Sequence, residues 1–257
     1  MRRPLIAGNW KMHMTLADAR ALIKDIDQRL GQLDGTSDVD VLICPPFTLL
    51  FPIAKAVADS PIMFGAQDVH EESQGAFTGE VSVEMLKDTG CTHVIVGHSE
   101  RRQLFGEKND RFARKVRAVT GAGLTVIYCV GETLADREGG KTRQVVDRQM
   151  SEVIGPDVPA DRLVVAYEPV WAIGTGKTAT ADQAQEVHGW IRGNLASTFD
   201  QATADRIRIL YGGSVKPVNA AELLGQGDID GALVGGACLV SEDFTAIIAA
   251  AAARQLA

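Results

Sequence analysis

The sequence predicts a (β/α)₈ barrel, a single domain over residues 1–257, and three observations favour it. Short runs rich in Val, Ile and Leu alternate with helical patterns along the whole chain. These runs are continuously apolar, as in strands buried on both faces of a parallel sheet. No Ser-, Pro- or Gly-rich linker divides the 257 residues. Eight strand candidates in a chain of this length fit the barrel, with a doubly wound open sheet as the structural alternative.

The elements follow one another in strand and helix pairs. Thr15 is a good N-cap for the first helix, and Gly31 is placed to end it. Thr178 or Thr180 can cap the helix after the sixth run, and Ser241 the last helix. Apolar residues recur at helical spacing within 19–30, 49–57, 112–119 and 184–195. The predicted strands are the runs 4–8, 39–44, 61–66, 94–97, 124–130, 163–167, 207–211 and 231–235.

Composition and charge narrow the class of protein and its partners. Hydrophobic residues make up 46% of the chain and charged residues 23%, as in a globular protein with a sizeable core. The formal net charge of −7 disfavours nucleic acid and anionic membrane surfaces as principal partners. No apolar run reaches membrane-spanning length, and the run after Arg3 is too short for a signal peptide. We therefore expect a cytoplasmic protein without a membrane or nucleic-acid partner.

The cysteines indicate a reducing environment. Cys44, Cys91, Cys129 and Cys238 lie far apart, and three of them fall in apolar runs. This pattern predicts buried thiols and not a disulfide framework.

Several familiar motifs are incomplete here. The GKT at 176–178 ends like a nucleotide-binding P-loop, but Trp171 stands where that motif needs its first glycine. The GHSER at 97–101 is not a nucleophile elbow, because Arg101 replaces the second glycine. Neither HExxH nor a pair of CxxC motifs occurs, so no metal site is predicted.

Polar residues just beyond three strand ends are the candidates for catalysis. Residues two apart in a strand share a face, so a face of small or apolar residues can lead to one polar group. The three faces are Ala7, Asn9 and Lys11; Val94, Val96 and His98; and Val164, Ala166 and Glu168. If these faces line a barrel, Lys11, His98 and Glu168 converge at its mouth, where barrel enzymes carry out their chemistry.

Glu168 and His98 each have a specific setting. Glu168 ends an apolar run and precedes Pro169 and a glycine-containing loop, as expected for a general base under a lid; the alternative is an incidental surface carboxylate. Ser99 can cap a short helix that begins at Glu100. A helix N-terminus aimed at His98 would keep the imidazole neutral, whereas the alternative is a structural interior histidine. We interpret His13, His70, His93 and His188 as structural or surface residues.

Two late glycine-rich loops suggest phosphate binding. Gly212 and Gly213 precede Ser214 after the seventh run, and Gly235 and Gly236 end the eighth. Glycines allow backbone N–H groups to approach an oxyanion, and phosphate sites after strands 7 and 8 recur in barrels. The alternative is that these glycines only form tight turns.

Segments along nearly the whole chain resemble the triosephosphate isomerase family. They are AGNWKM at 7–12, GAFTGE at 75–80, VGHSERR at 96–102, CVGE at 129–132, AYEPVWAIGTGKTAT at 166–180, YGGSV at 211–215 and VGGA at 234–237. The resemblance implies a (β/α)₈ barrel, a homodimer, and interconversion of dihydroxyacetone phosphate with D-glyceraldehyde 3-phosphate in glycolysis and gluconeogenesis. It implies no cofactor and no metal.

The resemblance also assigns roles. Glu168 would be the base, His98 a neutral electrophile, and Lys11 the group that stabilises negative charge. Asn9 and Lys11 would bind substrate, and the backbone N–H groups of Gly174, Ser214, Gly235 and Gly236 would bind its phosphate. Two departures, His13 for Asn and Cys238 for Ser, lie beside matched residues. Another sugar-phosphate isomerase, or a catalytically silent phosphate-binding barrel, stays the alternative.

Two loops have predicted roles. Residues 67–80, from Gln67 to Glu80, are long for a βα loop and carry Phe77 near two glycines. In the family this loop inserts beside the partner's active site, so we expect a homodimer built on it. Residues 170–176 are predicted to form a lid, with Trp171 as an anchor.

Overall fold

The computed structural model describes residues 2–173 and 178–255, which form eight strands separated by helices. The strands are Leu5–Asn9 (β1), Asp40–Cys44 (β2), Ile62–Ala66 (β3), His93–Val96 (β4), Thr125–Val130 (β5), Leu163–Tyr167 (β6), Arg208–Tyr211 (β7) and Gly231–Val234 (β8). The α-helices are Leu16–Leu30 (α1), Phe47–Ala56 (α2), Val83–Asp88 (α3), Ser99–Leu104 (α4), Asn109–Gly121 (α5), Leu134–Glu138 (α6), Thr142–Ser151 (α7), Ala181–Thr198 (α8), Gln201–Ala204 (α9), Pro217–Leu224 (α10) and Ser241–Gln255 (α11).

The strands close into a parallel barrel. Each strand pairs with the next along the chain, and β8 returns to pair with β1. Leu5 lies opposite Asp40 of β2 on one side and Gly231 of β8 on the other. A sheet whose first and last strands are paired has no edge, so the (β/α)₈ prediction is confirmed and the open doubly wound sheet is excluded.

The apolar core has two layers. One lies between the strands and the surrounding helices. The other fills the barrel and contains Leu5, Ala7, Leu42, Cys44, Ile95, Ile127, Cys129, Val164, Ala166, Leu210 and Leu233. The predicted inward faces of β1 and β6 are confirmed. That of β4 is wrong, because Ile95 points inward while Val94 and Val96 belong to the outer layer.

Most of the predicted helix boundaries agree with the structure. Thr15 caps α1 in a capping box with Asp18, and the helix ends before Gly31. Thr180, not Thr178, caps α8. The prediction for Ser241 is wrong, since α11 begins at Ser241 itself.

The four cysteines are buried unpaired thiols, as predicted. Within the described ranges, no helix has both the length and the apolar character needed to cross a bilayer.

Candidate active site

A cavity of about 820 Å³ opens at the carboxyl end of the barrel. The site residues predicted from the sequence that fall within the described ranges all line it: Asn9, Lys11, His98, Glu168, Ser214, Gly235 and Gly236. Gly174 lies outside the described residues. Residues from the ends of β1, β4, β6, β7 and β8 thus meet in one place, although Asn9 and Gly236 lie 227 positions apart in the sequence.

Glu168 lies at the floor of this cavity with both carboxylate oxygens occupied. It follows the last residue of β6 and is 2% exposed. Oε1 lies 2.9 Å from Nε2 of His98, and Oε2 accepts a 2.8 Å hydrogen bond from the N–H of Ser99. Burial raises the pKa of Glu168, but the His98 interaction and the Ser99 hydrogen bond lower it by more. The carboxylate is therefore held ionised while sheltered from water.

Space for this carboxylate depends on Gly212. A Cβ at Gly212 would lie 2.9 Å from Cγ of Glu168, closer than carbon atoms pack. The first glycine of the loop after β7 is therefore needed for Glu168 to occupy its observed position.

His98 reaches the cavity through a distortion of the chain at Gly97. Gly97 has a φ of +79°, a left-handed conformation that glycine adopts without steric cost. This turn breaks the strand alternation, so His98 lies inside even though Val94 and Val96 face outward. The predicted inward face of β4 is therefore wrong for Val94 and Val96, although His98 does lie in the cavity as predicted.

The hydrogen bonds of His98 fix its tautomer. His98, and not Ser99 as predicted, is the N-cap of α4, and its Nδ1 accepts a 3.2 Å hydrogen bond from the N–H of Glu100. Nε2 therefore carries the ring proton and donates it towards Glu168. Burial lowers the pKa of His98, but the charge and hydrogen bond of Glu168 raise it by more. The sequence-based argument for a neutral imidazole considered only the helix N-terminus and did not include a carboxylate against Nε2.

Lys11 is held in an unusual backbone conformation by two amide side chains. Its φ is +51°, which is uncommon for a residue with a side chain. Its N–H donates to Oδ1 of Asn9 at 3.0 Å, and its carbonyl accepts from Nε2 of Gln67 at 2.8 Å. Nζ of Lys11 forms a 2.7 Å ion pair with Glu100. This ammonium group is therefore directed towards α4, beside His98.

The two late loops present backbone donors to the cavity. Gly235 precedes the short 3-10 helix Gly236–Leu239, whose first N–H groups have no intrahelical acceptor. In the hydrogen bonds of the described residues, the N–H groups of Ser214, Gly235 and Gly236 have no acceptor. These three donors and the Lys11 ammonium can together receive a dianionic group.

Sequence reasoning missed four neighbours of the site. Gln67 follows β3 and supports Lys11, and Glu100 pairs with it. His13, interpreted as structural or surface, lies on the cavity wall. Glu132 is fully buried and accepts a 2.8 Å hydrogen bond from Nε1 of Trp171, at the start of the predicted lid. Gln67 could have been predicted from the sequence. It lies four residues after Met63 and so shares the inward face of that strand, by the same alternation that placed Asn9 on the face of Ala7.

The described ranges contain no cluster of side chains suited to a metal ion. No group of three or more His, Cys, Asp or Glu side chains there has the required arrangement.

Comparison with known proteins identifies the family. A profile described as "Triosephosphate isomerase" matches residues 4–251. A protein of that name from Magnetococcus marinus is 54% identical over 253 residues, which are 96% of this chain and 98% of that protein. One from Trichlorobacter lovleyi is 53% identical over 251 residues, with shares of 96% and 98%. One from Thiobacillus denitrificans is 53% identical over 254 residues, with shares of 98% and 100%. A match over nearly the full length, with about half of the positions identical, shows that this chain belongs to the triosephosphate isomerase family.

Proposed function

We propose that this isomerase interconverts dihydroxyacetone phosphate and D-glyceraldehyde 3-phosphate through an enediolate, in glycolysis and gluconeogenesis. The observation that carries the proposal is the 2.9 Å contact between Glu168 and His98 in a cavity that also holds Lys11 and the donors of two glycine loops. This chemistry needs a base, an electrophile and a phosphate site within one small volume, and it needs no cofactor.

Glu168 is the proposed base. Its two oxygens allow one side chain to remove a proton from one carbon and return it to the neighbouring carbon. In the structure both oxygens are bound by His98 and Ser99, so Glu168 must turn towards the substrate before it can accept a proton. The absence of a side chain at Gly212, which packs against Glu168, removes one obstacle to this rotation.

His98 is the proposed hydrogen-bond donor to the substrate oxygens. When Glu168 turns away, burial and the charge of Lys11 still lower the pKa of His98, and of the groups that raise it only the more distant Glu100 carboxylate remains. The imidazole then stays neutral and offers its Nε2 proton to the carbonyl or enediolate oxygen. A neutral donor can stabilise the enediolate without transferring its proton prematurely.

Lys11 and the late loops bind the charged parts of the substrate. Asn9 holds the backbone of Lys11, whose ammonium group lies beside the position of the developing negative charge. The N–H groups of Ser214, Gly235 and Gly236 bind the phosphate, with Gly174 of the lid as the remaining proposed donor. We also propose that residues 1–257 form a single domain. The protein would be cytoplasmic, without a nucleic-acid or membrane partner.

The protein acts, in our proposal, as a homodimer through the loop 67–80. Met12, Phe47 and Phe77 follow the adjacent strands β1, β2 and β3, and each is an exposed large apolar side chain, at 93%, 40% and 42%. Neighbouring loops at one end of a barrel thus form an apolar surface next to Lys11, and a second copy of the chain would cover it.

Ultracentrifugation at micromolar concentration tests the assembly. We expect a dimer for the natural chain and a shift towards monomer, with reduced activity, for Phe77→Asp. Leu33→Asp is the matched control, since Leu33 is a large apolar side chain of similar exposure, 36%, that follows α1 and does not line the catalytic cavity. A fully active monomer would contradict the proposed dimer.

Turnover of purified protein with D-glyceraldehyde 3-phosphate, followed by detection of dihydroxyacetone phosphate, tests the function. We expect conversion in both directions, and competitive inhibition by inorganic phosphate. No conversion by folded dimeric protein would instead favour a silent barrel or an isomerase of other sugar phosphates.

A further inference from the structure

A second polar cavity, of about 380 Å³, lies at the opposite, amino end of the barrel. Its lining, which we call the basic pocket, consists of Arg2, Arg3, Asp205, Arg206 and Arg208. Arg3 precedes β1 and Arg208 begins β7, so these groups gather where the strands start. Four arginines and one carboxylate line this cavity, and three of the arginines pair with carboxylates outside the lining, Arg2 with Asp228 and Asp230, and Arg3 and Arg208 with Asp40.

Ion pairs use part of this charge. Arg3 and Arg208 share the single carboxylate of Asp40, at 2.5 and 2.6 Å. Arg206 forms no ion pair within the described part of the chain; it donates to the carbonyl of Ala202 and to the hydroxyl of Thr203. Among the described residues, Arg3, Arg206 and Arg208 thus have only one carboxylate among them, that of Asp40. Several of their N–H donors therefore stay available to a ligand.

The charge of Arg208 also affects the pKa of a buried histidine in the barrel wall. His93 is buried at the start of β4, at the same end of the barrel, and its pKa is lowered to about 4. Burial is the main cause, and the charges of Arg208 and Arg162 lower it further, while Asp40 opposes them. A neighbouring cavity of about 330 Å³ shares Arg206 and Arg208 with the basic pocket and also contains Asp161.

We propose that the basic pocket binds a small phosphate-bearing anion of the size of a diphosphate, held by Arg3, Arg206 and Arg208. Guanidinium groups bind phosphate oxygens through parallel charge-assisted hydrogen bonds, which favours phosphate over a monovalent ion. Arg3 is half exposed, with 51% of its side chain accessible, so the ligand can enter from solvent. The basic pocket shares no residue with the catalytic cavity, so the two are separate sites.

Calorimetric titration with inorganic pyrophosphate in metal-free buffer tests this proposal. Saturating glycerol 3-phosphate is present to occupy the catalytic cavity. We expect one pyrophosphate per chain, with affinity that falls on the order of tenfold in Arg206→Gln, because a charge-assisted pair is lost. Affinity should also fall as salt is raised, since the site is partly exposed.

Arg143→Gln is the matched control, because Arg143 lies on α7 and is 68% exposed. It removes the same charge and should change the affinity less than twofold. Arg206→Lys keeps the charge but not the planar donors, so its affinity should lie between those of the natural chain and Arg206→Gln. None of these variants should change kcat or KM for the isomerisation.

Two results would overturn the proposal. One is equal weakening, or none, in Arg206→Gln and Arg143→Gln. The other is pyrophosphate binding that disappears when glycerol 3-phosphate is added, since the ligand would then occupy the catalytic cavity alone.

Discussion

Glu168 is a buried carboxylate that stays charged because its partners compensate for the lost water. His98 and the N–H of Ser99 hold its two oxygens, and the lack of a side chain at Gly212 leaves space for its Cγ. The alternation of β6 predicted its position from the sequence, since Val164 and Ala166 on the same face fill the barrel. Its pairing with His98 could not be predicted, because it depends on the turn at Gly97.

Shortening or neutralising Glu168 should separate positioning from basicity. Glu168→Asp keeps the charge but withdraws the carboxylate by on the order of 1 Å, a misplacement that can cost roughly 10²-fold. Glu168→Gln cannot accept a proton and should lower kcat further, with KM changing little. Kinetics of both variants, with melting temperatures to show that they fold, check this. Near-normal kcat in Glu168→Gln would remove Glu168 as the base.

Gln67 supports the backbone of Lys11, the residue proposed to stabilise negative charge. Its amide nitrogen donates to the carbonyls of Lys11 at 2.8 Å and Cys44 at 2.9 Å, which ties β1 and β2 together at the mouth of the barrel. A non-glycine residue at positive φ costs about 1–2 kcal/mol and persists only when its surroundings hold it. Gln67 is therefore a positioning residue that acts through Lys11.

Replacing Gln67 with Leu should weaken substrate binding more than it slows turnover. Both carbonyls lose their donor, Lys11 relaxes, and we expect KM to rise about tenfold, because an ammonium group attracts the anionic substrate before the reaction begins. The same change in a Lys11→Met background should add little if Gln67 acts through Lys11. Full additivity of the two changes would contradict the positioning role.

At the scale of the elements, β4 shows where sequence reasoning fails. Alternation placed Val94, Val96 and His98 on one inward face, and the structure turns the two valines outward. A positive φ at Gly97 shifts the register by one residue, and no apolar pattern signals this. Helix caps were more predictable, because a cap such as Thr180 is a local interaction with Gln183 three residues on.

The loop after β6 is the second element with a proposed role. Its described beginning, the 3-10 helix Val170–Ala172, is fixed by the hydrogen bond from Trp171 to the buried Glu132, and Ile173 lines the cavity. A loop tied at its base and reaching over the cavity can exclude water during proton transfer. The remaining positions of the predicted lid, 174–176, lie outside the described residues.

Deleting residues 173–176 should change the fate of the enediolate more than its formation. Without a cover, the intermediate can leave or eliminate phosphate, so we predict a larger share of methylglyoxal among the products and an unchanged fold. Product analysis by NMR together with circular dichroism measures both. An unchanged ratio of isomer to methylglyoxal would show that this loop is not a protective lid.

At the scale of the whole molecule, the sequence predicted the barrel but not its charged end. Eight continuous apolar runs and the spacing of strands and helices are sufficient for the closed parallel sheet. The basic pocket brings Arg2 and Arg3 together with Arg206 and Arg208, which are about two hundred residues apart. No local pattern marks such a cluster, because it arises only when β1 and β7 take their places in one barrel.

Two buried histidines should make the stability of the barrel depend on pH. Burial, as the main cause, lowers the pKa of both His93 and His188 to about 4 from an ordinary 6.5. Below pH 6.5 these two histidines bind protons in the unfolded chain but stay neutral in the folded protein. The stability that they contribute is therefore present above pH 6.5 and is lost as the pH falls towards 4. By linkage, each histidine accounts for about 3 kcal/mol of this loss at pH 4.

Urea unfolding at one protein concentration between pH 7 and pH 4 measures this dependence. In His93→Gln and in His188→Gln the free energy of unfolding should fall less steeply with pH than in the natural chain, even if each variant is less stable at pH 7. Val119→Ala removes buried contacts but no titratable group, so it should lower stability and keep the natural slope. The argument rests on the slope and not on the stability itself, because a lost contact lowers stability at every pH whereas a lost titration changes only its pH dependence. Parallel curves for all four proteins would therefore show that neither buried histidine is kept neutral by the fold.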